Sequence, residues 1–462
     1  MASILGINKI FGTNLTLIRT IHADATDLFE SGPTIRFRLC QNKSNPLITN
    51  YFPPFCKFYF RFLNWTPLYV TYAISYFLNE PSKFTFPESF QRRFFYFIPP
   101  ITLSPLEDYC LLTCALLALL KAPPNIDVHA FSDDHSYWPT VEKQIVAPLE
   151  PTTAHPESHA AKKVFRLTVP LIAKILNLNR HSIFILQTAT FFFMLYVALT
   201  LAERITDDRI ASFFFVAGLV PLYLILSAYQ EATGHLDAFA YCFLLASLYF
   251  RNPFVLFVTC TCASWCDERA FLATMLVFVW WSITPPFTRH KASPAERTWD
   301  FNPQMQAVAC SIVGYVSLRI LLTLFSPLSL SLGSSDLMLI RNYYHLFPLI
   351  FLATFSGMWI LLLAAVVTSF QNKRYTEALF IVLPLFLFTV VASMVWDFTR
   401  SLTFAFPTLF ISLFVLHRTL EVSSLRQLTF AAFMTVLLAP IVFFDSQLGW
   451  VSNVLTLVLQ NF

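Results

Sequence analysis

The feature that most constrains this chain is a succession of long apolar stretches, separated by short segments that hold nearly all the charge. From residue 181 onward they fall near 181–203, 209–229, 237–250, 253–266, 269–286, 304–328, 345–370, 375–396, 401–417 and 426–445. A helix needs about 20 mostly apolar residues to cross a bilayer. Most of these stretches meet that length. The pair 237–250 and 253–266 is short and is compatible with a hairpin that enters and leaves on one side. Composition agrees: 56% of the 462 residues are hydrophobic and 13% are charged, about half the charged share of a soluble domain. The expected fold class is an all-α, polytopic transmembrane helical bundle.

Upstream the pattern weakens. Residues 108–121 (DYCLLTCALLALLK) read as one apolar helix. Residues 1–107 are rich in Phe, Tyr and Trp but broken by Pro53, Pro54, Pro67, Pro99, Pro100 and Pro105, so they read as interfacial or as one to two spans. Residues 122–163 form a polar loop, and 164–178 (VFRLTVPLIAKILNL) fit an amphipathic helix on a membrane surface. The expected organisation is therefore an N-terminal region 1–107, a first span and loop 108–180, and a bundle 181–462. Residues 1–24 lack the basic, apolar and small-residue order of a cleavable leader.

Several functions are disfavoured at once. With 9 glycines among 462 residues, no Gly-rich phosphate cradle of the usual spacing occurs. A net charge of +4 gives no sign of nucleic acid as a partner. Cys260, Cys262 and Cys266 lack zinc spacing and read as packing residues, so no metal ligands are assigned.

Short loops rich in Lys and Arg stay in the cytoplasm. From residue 181 onward, loops on the side opposite residues 122–180 carry Arg204, Arg209, Arg251, Arg289, Lys291, Arg297, Lys373, Arg374, Arg418 and Arg426, while loops on the other side carry Arg269, Arg341 and Arg400. The loop 122–180 is expected outside. The outer segments place ionisable residues beside helix ends: Asp133 and Asp134 in FSDDHSYW; Glu231, His235 and Asp237 in QEATGHLD; Asp267, Glu268 and Arg269 in CDERA; Arg341 in IRNYYH; Asp397 and Arg400 in WDFTR. Such groups at membrane depth usually line a polar cavity or a functional site. Each also has a plainer reading. Asp133 and Asp134 suit a solvated turn, Asp237 a helix N-cap, Asp267 to Arg269 a local ion pair, and Asp397 with Arg400 an i,i+3 pair. Lys162, Lys163 and Arg166 suit anionic headgroups.

This layout resembles the GT-C superfamily of multi-spanning membrane glycosyltransferases. The acidic loop motif would be Asp133-Asp134, followed by Tyr137. The amphipathic segment would be KKVFRLTVPLIAKIL, and GHLDAFAY through CDERAFLATMLVFVWW, with DFTRSLTFAFP, carries the rest. The chain departs from that layout in an acidic motif set unusually far from the N-terminus and in its Glu-Arg turn. The resemblance implies a bundle of about ten to twelve spans with an amphipathic-helix outer loop. It also implies a polyprenyl-phosphate-sugar donor and transfer to an acceptor on the periplasmic, extracellular or lumenal face. Asp133 or Asp134 would be the catalytic base. Asp237, Glu268, Arg269, Arg341, Asp397 and Arg400 would bind substrate and its phosphate. No cofactor is required, and a divalent cation is compatible with the paired acids without being demanded. Membrane lipids would be further partners, and the acceptor is not identified. The rival expectations are a transporter or flippase, and a non-catalytic membrane subunit.

Overall fold

Prolines and glycines decide where the long apolar stretches break. In the computed structural model, residues 105–121, 137–150, 163–284, 301–325, 347–395, 397–439, 441–445 and 447–451 are described, all within the unit Phe94–Phe462. They are helical almost throughout. The first helices are α1 (Pro105–Lys121), α2 (Trp138–Val146), α3 (Thr168–Leu176) and α4 (Arg180–Thr206). Next come α5 (Arg209–Leu219), α6 (Tyr223–Gln230), α7 (Asp237–Tyr249), α8 (Pro253–Cys266) and α9 (Glu268–Ile283). The later ones are α10 (Pro303–Phe325), α11 (Phe347–Phe355), α12 (Trp359–Gln371), α13 (Tyr375–Ser393), α14 (Phe398–Thr403), α15 (Pro407–His417) and α16 (Val422–Leu438). A short antiparallel ribbon, β1 (Ile441–Asp445) with β2 (Gln447–Val451), follows α16.

Four helical segments are long and apolar enough to cross a membrane: α4, α10, α11 with α12 taken together, and α13. A fifth is the pair α5 and α6, bent by 59°. Pro221 lies in that break, where its missing N–H and ring interrupt the helix ladder. The apolar helices α7, α8, α15 and α16 are shorter. Every apolar stretch expected after residue 181 is helical over most of its length, but besides the broken 209–229 three differ in detail. The stretch 401–417 is divided by a turn at Phe404–Phe406, with Pro407 opening α15. The stretch 345–370 is divided by a 3-10 turn at Ser356–Met358. There a Cβ on Gly357 would collide with the Ala432 carbonyl oxygen, so only glycine allows α16 to cross this closely. The stretch 426–445 is not one helix: α16 ends at Leu438, Ala439 is extended, and β1 follows. Pro440 disfavours helical backbone at the residue before it.

The core is one large apolar cluster to which every helix contributes, with α4 to α9 and α14 to α16 supplying most of its members. Outward faces of α10 and α13 carry exposed Leu, Val, Ile and Phe, among them Leu324, Phe325, Phe386 and Leu387. Side chains of that kind left in water would be unfavourable by about 25 cal/mol per Å². The chain is therefore membrane-embedded.

Candidate functional site

One end of the bundle gathers the ends of six elements: the segment 163–167 before α3, the end of α6, the starts of α7 and α9, the end of α8, and α14. The loop between α6 and α7 sets the geometry. Gly234 takes a left-handed backbone (φ +89°), as does Leu236 (φ 63°). A Cβ at Gly234 would press on Trp138 at 3.2 Å. Trp138 is fully buried there and donates from Nε1 to the Ala232 carbonyl at 2.7 Å, while the Tyr137 N–H donates to the Thr233 carbonyl at 2.7 Å. The start of α2 is thereby fastened over the GHLD turn.

Asp237 does not cap α7. Leu236 occupies the cap position, and the Asp237 side chain turns into the bundle, where it is 1% exposed. Arg400 Nε donates to Asp237 Oδ2 at 2.7 Å, and Arg400 Nη1 donates to Asp397 Oδ2 at 2.9 Å and lies 3.4 Å from His235 Nε2. Asp397 and Arg400 are thus an i,i+3 pair, as their spacing suggests, but Arg400 also bridges to α7. Asp267 caps α9, accepting from the Arg269 backbone N–H at 2.8 Å. The Arg269 fork closes on the same carboxylate, Nε to Oδ1 and Nη2 to Oδ2, both at 2.8 Å. Such bidentate pairs fix orientation as well as charge. Arg269 Nη2 also lies 3.5 Å from Asp237 Oδ1, and its Nη1 donates to Ser401 Oγ at 3.0 Å. Arg166 Nη2 reaches Asp267 Oδ2 at 2.8 Å and Glu268 Oε1 at 3.3 Å.

Three arginines and four carboxylates therefore form one continuous network from residues up to 234 positions apart in sequence. Tyr241 donates to the Arg400 carbonyl at 3.0 Å, and Tyr223 to Asp237 Oδ2 at 3.4 Å. Buried ion pairs of this kind rarely add net stability, because desolvation offsets their attraction, yet removal of one partner is costly. Two buried atoms in the network, Asp237 Oδ1 and Arg166 Nε, make no hydrogen bond to the described residues.

A cavity of about 30 Å³ adjoins the network, lined in part by Tyr137, Gln144, Lys163, Arg166, Gly234 and His235. It has room for one or two waters. Lys163 Nζ stands over the Tyr137 ring, 2.9 Å from its centre, and that ring packs on His235 with centroids 4.2 Å apart. Lys163 is 7% exposed, and its Nζ makes no ion pair with the described residues. Burial, then the Arg166 and Arg400 charges, push its ammonium pKa down to about 7. Burial, then Arg400 and Lys163, hold His235 well below its usual value, so the ring is neutral at pH 7. Burial would raise Asp267, but Arg166 and Arg269 overcome it and hold the carboxyl well below the carboxylate range. Glu231, whose carboxylate accepts from the Thr233 hydroxyl, is pushed up by burial.

Of the residues singled out in the sequence, Asp237, Glu268, Arg269, Asp397 and Arg400 meet here. Asp133, Asp134 and Arg341 lie outside the described residues, and so does Lys162. Lys163 and Arg166 are not spread on a surface for headgroups: they are buried in this network, because Asp267 draws Arg166 inward. Arg269 and Arg400 are engaged by carboxylates and do not line the cavity, whereas Lys163 and Arg166 do. Tyr223 has no sequence signal, since it sits in an apolar helix; Tyr241 closes the GHLDAFAY run that carries part of the resemblance but is assigned no role by it. Among the described residues no group of three or more His, Cys, Asp or Glu side chains is placed to hold a metal ion.

Compared with known proteins, the chain matches no family model, no curated protein and no solved structure.

Proposed function

We propose that the network and its cavity form the active site of a membrane glycosyltransferase that uses a lipid-phosphate-linked sugar, in a GT-C-like bundle of ten to twelve spans. The observation that carries this reading is the convergence of Arg166, Arg269 and Arg400 with Asp237, Asp267, Glu268 and Asp397 at one end of an apolar bundle, beside a cavity whose cationic lining is Lys163 and Arg166. Ionisable groups are costly at such a place and are kept for function. The basic-residue bias of the opposite loops supports a non-cytoplasmic site.

In this reading the lipid phosphate lies against Lys163 and Arg166; Arg269 holds Asp267, which positions Arg166, and Arg400 holds Asp237 and Asp397. An acceptor hydroxyl attacks the anomeric carbon as the bond to the phosphate oxygen breaks, with inversion. A carboxylate takes the hydroxyl proton. Asp133 or Asp134 is proposed for that role; within the network Glu268 and Asp397, with side chains 33% and 22% exposed, are the carboxylates most open to an acceptor. The leaving phosphate keeps both electrons of the broken bond, and preorganised cations stabilise its growing charge. The cavity has room for water but not for a sugar, so donor binding opens it.

Binding of a short-chain polyprenyl phosphate to the purified protein tests the reading. Lys163→Gln and Arg166→Gln are expected to weaken binding by about tenfold each, and wild-type affinity in both variants would refute it. A transporter is the second reading, favoured by the 59° break between α5 and α6, because broken helices mark many substrate paths. It predicts that substrate moves across a membrane unchanged.

A further inference from the structure

The seam between α10 and the segment 163–167 holds an arginine that the charged network does not use. Helix α10 is apolar, and only 17% of its most apolar stretch is buried, so most of its surface faces lipid. Arg319 is its single charged residue. It lies one to two turns before the Phe325 end, roughly 9 Å along the helix axis. The contacts of Tyr315, one turn earlier on the same stripe, show which end of the bundle this is. Its ring packs on Trp265, near the end of α8, and on Phe271, near the start of α9, with centroids 4.9 Å and 4.6 Å apart. Arg319 therefore stands at the end that carries the network.

A charge in a helix of this kind is costly and is kept for a use. The other arginines described at this end, Arg166, Arg180, Arg269 and Arg400, each bond a carboxylate. Arg319 does not. Its Nη1 donates to the Tyr315 hydroxyl, and its guanidinium lies 4.4 Å from the centre of the Phe165 ring and 5.7 Å from that of Tyr315. These contacts are with neutral groups. Among the described residues no carboxylate lies within ion-pair distance of Arg319, and the remaining N–H groups of its fork have no acceptor. A basic side chain that only snorkels reaches toward water on a free stem. This one is laid against two buried rings, which belong to a small cluster with Trp265 that is separate from the main core. The fork is held in place, and its charge is not neutralised.

The surroundings suit a lipid rather than a free anion. Leu318 and Ile320, on either side of Arg319, are exposed, and so is Val316, one turn deeper on the same stripe. An acyl chain descending from a phosphate at Arg319 would run along Val316. Guanidinium forks match phosphate oxygens. A zwitterionic headgroup would bring a cation of its own, and Asp267 and Glu268, at the start of α9, are already engaged by Arg166. A net-negative headgroup balances the Arg319 charge without needing a further carboxylate.

We propose that this seam binds the phosphate of an anionic bilayer phospholipid, with Arg319 as the cationic ligand and Phe165 and Tyr315 as the wall that holds it. The site is distinct from the cavity at Lys163 and does not depend on the reaction proposed there.

Photolabelling of the purified full chain tests this. The chain is placed in phosphatidylcholine liposomes with a minor, subsaturating share of phosphatidylglycerol that carries a diazirine near its headgroup. After illumination, mass spectrometry of the digested chain maps the label. Wild type is expected to be labelled on α10 and on 163–167. Arg319→Gln should reduce that labelling about fivefold, the effect of one basic residue beside an anionic lipid. Thr323→Glu keeps Arg319 and adds a carboxylate one turn away on the same stripe. It should reduce the labelling too, so the outcome does not hang on the folding of one variant. Equal labelling of wild type and both variants overturns the proposal, as does equal labelling of wild type by a phosphatidylcholine probe with the same diazirine. Displacement of the label by polyprenyl phosphate, but not by unlabelled phosphatidylglycerol, would assign the seam to the lipid donor and overturn it as well.

Discussion

Asp237→Asn removes one charge from the centre of the network and leaves its shape nearly unchanged. The wild-type side chain is 1% exposed and receives Arg400 at 2.7 Å, Tyr223 at 3.4 Å and Arg269 at 3.5 Å. After the change, Arg269 still has Asp267. Arg400, with a side chain 7% exposed, is left with Asp397, which is more solvated and screens it less well. Breaking a buried pair by removing one partner costs about 3–5 kcal/mol. Asparagine keeps an oxygen for the Arg400 hydrogen bond, so the expected loss is near the lower end, about 3 kcal/mol. Asp237→Ala should cost more. A double-mutant cycle isolates the coupling: Arg400→Met alone leaves Asp237 only the longer contacts to Arg269 and Tyr223, while Arg400→Met with Asp237→Ala removes both charges of the pair. The double variant should be more stable than the sum of the single losses by about 2–3 kcal/mol. Reversible unfolding of the purified chain in mixed micelles, followed by tryptophan fluorescence, measures all four species. Additivity within about 0.5 kcal/mol would refute the claim that these groups form one buried pair.

Three further outcomes follow from the same geometry. Gly234→Ala should destabilise by roughly 1–2 kcal/mol, the cost of a left-handed backbone for a residue with a Cβ, and should loosen Trp138; unchanged stability in the same unfolding assay would contradict this. Lys163 binds its proton up to about pH 10 when unfolded but loses it near pH 7 when folded. The unfolded state therefore binds more protons between about pH 7 and 10, and stability should rise with pH across that window. Lys163→Met should flatten that rise, whereas parallel pH profiles would show that Lys163 titrates normally. Asp208→Ala removes the cap of α5 and the partner of Arg426, and should cost about 1–2 kcal/mol while leaving polyprenyl phosphate binding at the other end intact; lost binding would mean the two ends are coupled.

Much of the fold was legible in the sequence because one signal, apolar length, carries most of the information in a membrane chain. The helices α4, α10 and α13 follow from it directly. Their interruptions were harder to place, since Pro221, Pro407 and Pro440 end helices only where the packing allows no kinked continuation. The site was legible in part. Asp237, Glu268, Arg269, Asp397 and Arg400 stand out because each is charged beside an apolar stretch. Arg166 and Lys163 did not, because a basic residue near an amphipathic helix has a cheaper explanation at the membrane surface. Only the tertiary path that brings the α3 approach against Asp267 gives them another role. Asp237 was open to reading as a cap for the same reason: its local sequence is that of a helix start, and Arg400, 163 residues away, decides otherwise.

The most direct test of the central claim is turnover of a radiolabelled polyprenyl-phosphate hexose by the purified protein in liposomes, with cell-envelope extract as the source of acceptor. The account predicts that label leaves the lipid, that polyprenyl phosphate accumulates, and that Arg166→Gln abolishes both. Donor that remains chemically intact, whether it stays in place or crosses the bilayer, would contradict it.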